Sequence, residues 1–330
     1  MRALDRFGGM VAVVVGVSAC LAPAGAEQIA VSNYGIAANA MPYAVALEKK
    51  FYQAEGADVT GIISSQGGGT SIRNMLAGGV AYGEANPGAT AVAIQQGADL
   101  KIISDNVLTV AEFVWAVKPD SSIKTIQDFK GKKIGYTNPR STSQALAILL
   151  LQAAGLKPTD AELVRTGGFG EGVAALDLGA IDVAPMAEPV WSKFKSKYRA
   201  VVAASDVLPP LDNVVGITTT AAAATRGDFI RAVIRARRKA VEFMHANPDE
   251  AGDIVAKHYN LEKDVARSAV RSLTASRTQG IPYWGSGQFH LEGMKRMMDV
   301  QKMVGAITTE IDVAKMIDTS FLPADIQTPK

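Results

Sequence analysis

Cysteine is almost absent from this chain of 330 residues, whose single thiol is Cys20. Residues 27–330 contain none, so disulfides, thiolate nucleophiles and cysteine-ligated metals are excluded from that range. Histidine is scarce too, with three residues and no HExxH or similar metal-ligating spacing. No GxSxG, P-loop or GxGxxG pattern occurs. The sequence therefore predicts neither a metal nor a cofactor.

Long apolar runs are also missing, since no segment reaches the roughly 20 uncharged residues that a transmembrane helix needs. An apolar stretch at 10–17 follows two arginines and precedes Ala-Gly-Ala at 24–26, which is the pattern of a secretory signal peptide. Residues 1–26 are therefore predicted to be removed on export to the periplasm. The segment 17–20 also fits a lipoprotein cleavage box, so anchoring through a lipidated Cys20 is the alternative.

Neither sign of charge dominates, with 34 basic and 32 acidic residues. Removing residues 1–26 takes away Arg2, Arg6 and Asp5, which leaves 32 and 31 and a net charge of +1. This balance argues against a nucleic-acid partner and against strong attraction to a membrane. The remaining chain of about 300 residues exceeds what one hydrophobic core usually supports, so two lobes are expected.

Strand, loop and helix alternate along the first two thirds of the chain. Strands are predicted at 29–35, 59–64, 100–104 and 134–137, with helices at 42–51, 71–77, 89–96 and 144–154. This alternation predicts a mainly parallel sheet in an α/β fold. The polar loops between the elements would then lie at the carboxyl ends of the strands, where open α/β sheets bind ligands. From about residue 217 the pattern becomes helical.

The loop before the helix at 144–154 is the most informative of these segments. Its hydroxyls, on Ser141, Thr142 and Ser143, can cap the helix. They would leave first-turn N–H groups and the positive end of the helix dipole facing an anion or a carbonyl oxygen. The alternative is that these residues cap the helix and do nothing else.

Several short motifs occur in a fixed order: PY at 42–43, EGADV at 55–59, GGGT at 67–70, GGVAYG at 78–83, DFKGKKIG at 128–135, and Asp182 with Glu188-Pro189. With these motifs the chain resembles the substrate-binding proteins of bacterial importers for nitrate, sulfonates, taurine and related compounds. The resemblance covers nearly all of residues 27–330. It extends distantly to the fungal thiamine-pyrimidine synthase, whose cysteine-rich iron site and active-site histidine have no counterpart here.

The resemblance implies an α/β fold of the type II periplasmic binding protein class, with two α/β lobes joined by a two-stranded hinge. Lobe 1 would comprise residues 27–112 and 218–330, lobe 2 would comprise 113–217, and the ligand cleft would lie between them. The expected function is to bind a small organic anion, such as a sulfonate or carboxylate, as a monomer. The protein would deliver it to the permease of an ABC importer in the inner membrane.

The resemblance also implies ligand contacts in loops of both lobes, at Asn39, Met41, Gly69, Thr70, Asn86, Ser141, Thr142, Ser143, Phe169 and Glu188. Arg140 is added because it could pair with a carboxylate or sulfonate. Trp284 is added because it is the aromatic residue best placed in a loop to face a cleft.

Each of the less specific candidates has a second interpretation. Gly69 and Thr70 could form a turn and a helix cap, and Asn86 before Pro87 could open a turn. Arg140 could be a solvated charge and Trp284 a packed anchor, while Glu188 could brace a lobe. Two other functions remain open, namely ligand sensing for a receptor and an exported enzyme of the same fold with Glu188 as its base.

Overall fold

The structure is a computed structural model that describes residues 27–330, and the predicted signal peptide and Cys20 lie outside this range. In this range the strands are β1 Glu27–Ser32, β2 Val59–Ser65, β3 Gly83–Ala85, β4 Lys101–Val107, β5 Phe113–Val117, β6 Lys133–Tyr136, β7 Glu162–Arg165, β8 Ala184–Ala187, β9 Arg199–Ala203, β10 Val214–Thr218, β11 Arg277–Thr278, β12 Ile281–Pro282 and β13 Trp284–Gly287.

The α-helices alternate with the strands at first and then follow one another. They are α1 Met41–Glu48, α2 Phe51–Ala54, α3 Gly68–Gly78, α4 Pro87–Gln95, α5 Thr142–Ala153, α6 Phe169–Asp177, α7 Val190–Phe194, α8 Ala204–Val207, α9 Thr220–Thr225, α10 Gly227–Ala246, α11 Pro248–Tyr259, α12 Lys263–Ala275 and α13 Leu291–Met303. None of these described helices combines the length and apolarity needed to cross a bilayer.

The first sheet has six strands in the order β13-β4-β10-β3-β1-β2. Strand β1 pairs in parallel with β2 and β3, whereas β10 and β13 run antiparallel to their neighbours. Ile29, Ala30 and Val31 are fully buried on both faces of β1. Such a strand has helices on both sides of the sheet, which explains its continuous apolar sequence.

The second sheet is built around β5, which pairs antiparallel with β8 and β9. The parallel pair β6 and β7 joins it because the Gly135 N–H donates to the Val183 carbonyl at 2.8 Å. Both sheets are therefore mixed, and the prediction of a mainly parallel sheet is wrong for β5, β8, β9, β10 and β13. Strand direction differs there because the chain passes between the two sheets and returns.

The chain crosses between the sheets twice, at 108–112 and at 208–213. The resemblance implied lobe boundaries after residues 112 and 217. In the structure β10 pairs with β3 and β4, with Val215 opposite Ala85 in the register. The Val214–Thr218 strand therefore belongs with the first sheet, because its backbone hydrogen bonds are made there.

Helix α10 is the longest helix of the described range and packs on the first sheet through α1, α2 and β13. Its buried face carries Ile230, Val233, Ile234 and Val241 at helical spacing. Helix α13 contacts both α4 and α5. Its Met297 and Val300 join the hydrophobic cluster of the second sheet. The C-terminal helices thus return to the first sheet and reach the second.

Candidate functional site

Two helix N-termini, one beside each sheet, meet where the sheets face each other. The Asn86 side chain caps α4 by accepting hydrogen bonds from the Gly88 and Ala89 N–H groups at 2.8 and 3.3 Å. The Ser141 hydroxyl oxygen caps α5 by accepting from the Gln144 N–H at 3.3 Å. Both caps follow from polar residues placed directly before an apolar helix. Each cap leaves the positive end of its helix dipole at the same place.

Asn213 of the second crossover joins these two helix starts. The Asn86 side-chain amide donates to the Asn213 carbonyl at 3.1 Å, and it lies 3.4 Å from the Thr142 hydroxyl. The Thr142 hydroxyl donates to the Asn213 side-chain oxygen at 3.0 Å. The structure therefore brings together two of the predicted site residues, Asn86 and Thr142, through a residue that was not predicted.

Glu112 of the first crossover extends this group. Its carboxyl accepts a hydrogen bond from the Asn213 side-chain amide at 2.7 Å. Burial, with a smaller contribution from the nearby Glu188 carboxyl, raises the pKa of Glu112 to about 8. Glu112 is therefore largely protonated at neutral pH. The polar group formed by Asn86, Thr142, Asn213 and Glu112 is hereafter called the cleft ladder.

The other hydroxyls of the α5 loop are tied to β6. The Thr137 N–H donates to the Ser143 hydroxyl oxygen at 2.9 Å, and Ser143 is buried. Arg140 lies on the outside of the loop, where its backbone has a φ of 63° and its N–H donates to the Gln144 side chain at 2.6 Å. Thr142 is half-buried and contacts Asn86 of the other sheet, whereas the Ser141 and Ser143 hydroxyls make their hydrogen bonds within the loop.

Phe169 begins α6 and forms an aromatic pair beside the first crossover. Its ring centroid lies 5.9 Å from that of Phe113 in an edge-to-face arrangement. Phe113 in turn lies 6.3 Å from Trp115. Phe169 is half-buried, so part of its ring remains open as an apolar wall.

Glu188 lies two residues before α7 and braces that helix. The Glu188 carboxyl accepts from the Ser192 N–H at 3.1 Å and from the Ser192 hydroxyl at 3.0 Å. Only 3% of the residue is exposed, and burial raises the pKa of its carboxyl. The Ser192 and Ser268 hydroxyl oxygens are 3.1 Å apart, which connects α7 with α12 across the two sheets. This geometry favours the bracing interpretation over the base of an enzyme.

The first-sheet candidates fall into a buried and an exposed group. The Asn39 side-chain amide donates to the Ser32 carbonyl at 2.8 Å and to the Glu84 carboxylate at 3.0 Å. Met41 is fully buried next to it. Gly69 is exposed and Thr70 half-buried on α3. Because α3 begins at Gly68, these two residues are inside the helix and do not form the predicted turn and cap.

Trp284 does not face the space between the sheets. It is 1% exposed in β13, and its indole N–H donates to the Ala38 carbonyl at 3.2 Å. Its ring packs edge-to-face on Tyr283 at 5.0 Å within the first hydrophobic cluster. The interpretation of Trp284 as a ligand contact is therefore wrong, because the side chain is buried as an anchor.

A cavity of about 590 Å³ also opens between α7 and α12. Its basic lining residues include Arg267 and Arg271, which pair with Asp253 and Asp249. These pairings neutralise the field that would attract an anion there. Among the described residues, no group of three or more His, Cys, Asp and Glu is arranged to hold a metal ion.

Residues 37–251 match the model of the family described as NMT1/THI5 like. The chain belongs to this family. Its relatives include a binding protein of Brucella abortus, 26% identical over 262 residues that cover 77% of this chain and 79% of the relative. The riboflavin-binding protein RibY of Chloroflexus aurantiacus is 23% identical over 306 residues, covering 86% and 82%.

Solved structures show that this NMT1/THI5-like chain has the periplasmic binding protein fold. The aliphatic sulphonate-binding protein SsuA of Escherichia coli superimposes with a TM-score of 0.74 at 18% identity, over 88% of this chain and 91% of SsuA. The nitrate-binding protein NrtA of Synechocystis gives 0.69 at 15% identity, over 91% and 86%. The predicted resemblance and fold class are confirmed.

Sequence reasoning missed Asn213 and Glu112 of the cleft ladder, and also the buried Arg237. Asn213 and Glu112 lie in crossovers without a motif, so their sequence context carried no signal. Arg237 did carry one, because it falls three and four residues after Ile234 and Val233 on the apolar face of α10. A charged residue on that face predicts a buried partner, which in the structure is Glu84 at 4.0 Å.

Proposed function

We propose that this protein binds a small organic anion, such as a sulfonate or carboxylate, between its two sheets and delivers it to the permease of an ABC importer. The meeting of the α4 and α5 N-termini at the cleft ladder carries this proposal. Each N-terminus presents a partial positive charge of roughly half a unit. An anion placed between them is attracted by both helices at once.

The two sheets would move as lobes. Lobe 1 comprises residues 27–107 and 214–330, lobe 2 comprises 113–207, and the crossovers 108–112 and 208–213 form the hinge. A ligand favours closure of the two lobes only if it binds the closed state more tightly than the open state. It must therefore contact both lobes. Asn86 and Thr142 supply one contact from each side. The open part of the Phe169 ring supplies an apolar surface for the ligand's carbon skeleton.

The relatives support a solute-binding role, and the names of two structural neighbours refer to anions, a sulphonate and nitrate. We infer that this chain acts in the periplasm after loss of residues 1–26, as a monomer and without turnover of its ligand. The name of one relative, RibY, refers to riboflavin as a ligand. Riboflavin therefore belongs in the test as the competing ligand class.

A thermal-unfolding screen of residues 27–330 tests the proposal. The panel contains alkyl and aryl sulfonates, carboxylates, nitrate, bicarbonate, pyrimidines and riboflavin, after removal of any co-purified ligand. An anion present at a hundred times its dissociation constant should stabilise the protein by about 2.7 kcal/mol. The same anion should be recovered unchanged after incubation. Stabilisation by riboflavin alone, or conversion of the anion into a new compound, would contradict the proposal.

Thr142→Val supplies the specific test of the site. The change removes the hydroxyl but keeps the shape, so affinity for the anion should fall by about tenfold, the loss of a hydrogen bond to a charged group. Thr159→Val is the matched control, because Thr159 is exposed and remote from the cleft ladder. If the two variants bound the anion with equal affinity, the cleft ladder would not be part of the binding site.

A further inference from the structure

Two buried carboxyl groups face each other at the hinge. Asp105 lies in β4, two residues before the strand ends, and Asp212 lies on the second crossover. Both residues are fully buried, and their carboxyl groups are within hydrogen-bonding reach of each other. Within the described residues, three of their four carboxyl oxygens accept no hydrogen bond from a third group. The fourth, on Asp105, accepts from the His290 backbone N–H at 3.1 Å.

Few groups around this Asp105–Asp212 pair could neutralise two negative charges. Ionisable groups beside the pair are the His290 ring, which directly precedes α13 and lies 3.8 Å from Asp105, and the Arg296 guanidinium of α13. The Arg296 guanidinium donates to the Pro210 carbonyl instead of a carboxylate. Strands β10 and β13 place Val215 and Gly287 opposite Asp105, neither of which can titrate.

The helix backbone also closes off water from the pair. A Cβ atom added to Gly293 of α13 would lie 2.3 Å from an Asp212 carboxyl oxygen. The helix therefore packs directly on Asp212, and the Asp212 N–H donates to the Gly293 carbonyl at 3.3 Å. An unpaired buried charge costs several kcal/mol, whereas two carboxyls that share one proton carry a single charge between them.

The pair is coupled to the cleft through the chain itself. Asp212 directly precedes Asn213, whose side chain bonds to Glu112 and Thr142. Asp105 lies in β4, which leads into the first crossover and Glu112. A displacement of Asp212 from Asp105 would therefore move the residue that holds the cleft ladder together.

We propose that Asp105 and Asp212 share one proton, which holds the second crossover against β4 and makes the hinge sensitive to pH. In the protonated pair, the O–H of one carboxyl donates to the carboxylate of the other. Loss of that proton to solvent leaves two carboxylates that repel each other across the hinge. The shared proton does not depend on the proposed function, whereas its effect on ligand affinity rests on it.

The direction of the pH effect follows from linkage. Burial raises the pKa of Asp212 well above its ordinary value of 3.8, and the neighbouring Asp105 raises it further. The folded protein therefore holds this proton more tightly than the unfolded chain does. The shared proton therefore stabilises the folded state fully below pH 3.8. This stabilisation is lost as the pH rises through the pKa of the folded state.

The test measures urea unfolding of ligand-free residues 27–330 at a series of pH values. In Asp212→Asn the amide donates to Asp105 permanently, so one pH-dependent proton is removed. The unfolding equilibrium constant should rise less steeply with pH in the variant than in the wild type. The two slopes should differ by at most about tenfold per pH unit, which is the contribution of one proton. Asp206→Asn is the matched control, because Asp206 is exposed on α8 and should leave the slope unchanged.

Infrared difference spectroscopy gives an independent readout on the same proteins. The wild type should show a component of the protonated carboxylic acid carbonyl band, beyond that of Glu84 and Glu112, which is missing from both Asp212→Asn and Asp105→Asn. A slope and a band unchanged in both variants would overturn the proposal. So would stabilisation by Ca²⁺ or Zn²⁺ of the wild type but not of Asp212→Asn, because the pair would then hold a cation. None of these outcomes depends on a transported ligand.

Discussion

Glu84 of β3 and Asp105 of β4 lie in the same sheet and are both fully buried, but their surroundings differ. Glu84 accepts hydrogen bonds from three neutral side chains, those of Asn39, Tyr43 and Asn106. The Arg237 guanidinium lies 4.0 Å away. Asp105 and its neighbour Asp212 have one backbone N–H between them as a donor. Burial alone therefore does not decide how a carboxyl is held.

The different surroundings of Glu84 and of the Asp105–Asp212 pair affect how tightly each site holds a proton. Burial raises the pKa of Glu84 to about 7, while Arg237 and the three donors act in the opposite direction. At Asp212 burial and a second carboxyl act in the same direction, and only the more distant Arg296 opposes them. A buried acid with donors and a cation can thus ionise near neutral pH, whereas a pair without them retains a proton.

Arg237→Met should have the largest effect on this comparison, because it converts the Glu84 site into one that resembles the aspartate pair. The change removes the guanidinium beside Glu84 and the hydrogen bonds to the Asn106 and Gly285 carbonyls at 2.6 and 2.8 Å. We expect the free energy of unfolding to fall by about 3–5 kcal/mol at pH 8. Urea unfolding measures this change.

The same variant should lose less at pH 5, because Glu84 is then protonated and needs no countercharge. Arg238→Met is the control, since Arg238 pairs with Asp325 at the surface and should cost less than about 1 kcal/mol. Equal losses for Arg237→Met at pH 5 and pH 8 would show that Arg237 stabilises only through the two carbonyls.

Glu84→Gln should have the second largest effect. The amide keeps the size of the carboxyl but points two N–H groups into a site lined with donors, where the protonated carboxyl has a single O–H, so the free energy of unfolding should fall by about 1–3 kcal/mol at pH 5. The wild type should lose stability as the pH rises from 4.5 through 7, because the raised pKa favours the protonated fold. The variant should lack this pH-dependent loss of stability, which amounts to at most about 1.4 kcal/mol per pH unit for one proton. Parallel pH profiles for the two proteins would contradict this.

His290→Gln should have the smallest effect and sharpens the account of the aspartate pair. Asp105 accepts from the backbone N–H of residue 290, and this donor survives the substitution. We expect a change within about 0.5 kcal/mol in urea unfolding and an unchanged pH slope near neutral pH. If His290→Gln flattened the slope as much as Asp212→Asn, the imidazole would be the group that titrates.

Local patterns were sufficient for much of the fold. The predicted strands at 29–35, 59–64, 100–104 and 134–137 correspond to β1, β2, β4 and β6. The cap at Ser141 was also predicted, because a hydroxyl before an apolar helix acts within four residues. The directions of β5 and β10 were not predicted, because they depend on which sheet the chain enters after each crossover.

The candidate site was only partly predictable for a related reason. Asn86 and Thr142 were predicted as separate loop residues, and their contact spans 56 positions of the chain. Asn213, which joins them, has no motif of its own. Trp284 was assigned to a cleft because its neighbours are glycines, but β13 pairs with β4 and buries it.

The sequence by itself determined the elements, the helix caps and the family, because helical and strand periodicity and capping act over a few residues. The tertiary structure decided which carboxyls keep a proton. Asp105 and Asp212 are more than a hundred positions apart, and nothing near either residue predicts a second acid. Their charge depends on desolvation and on each other, and both arise only when the crossovers, β4 and α13 pack together.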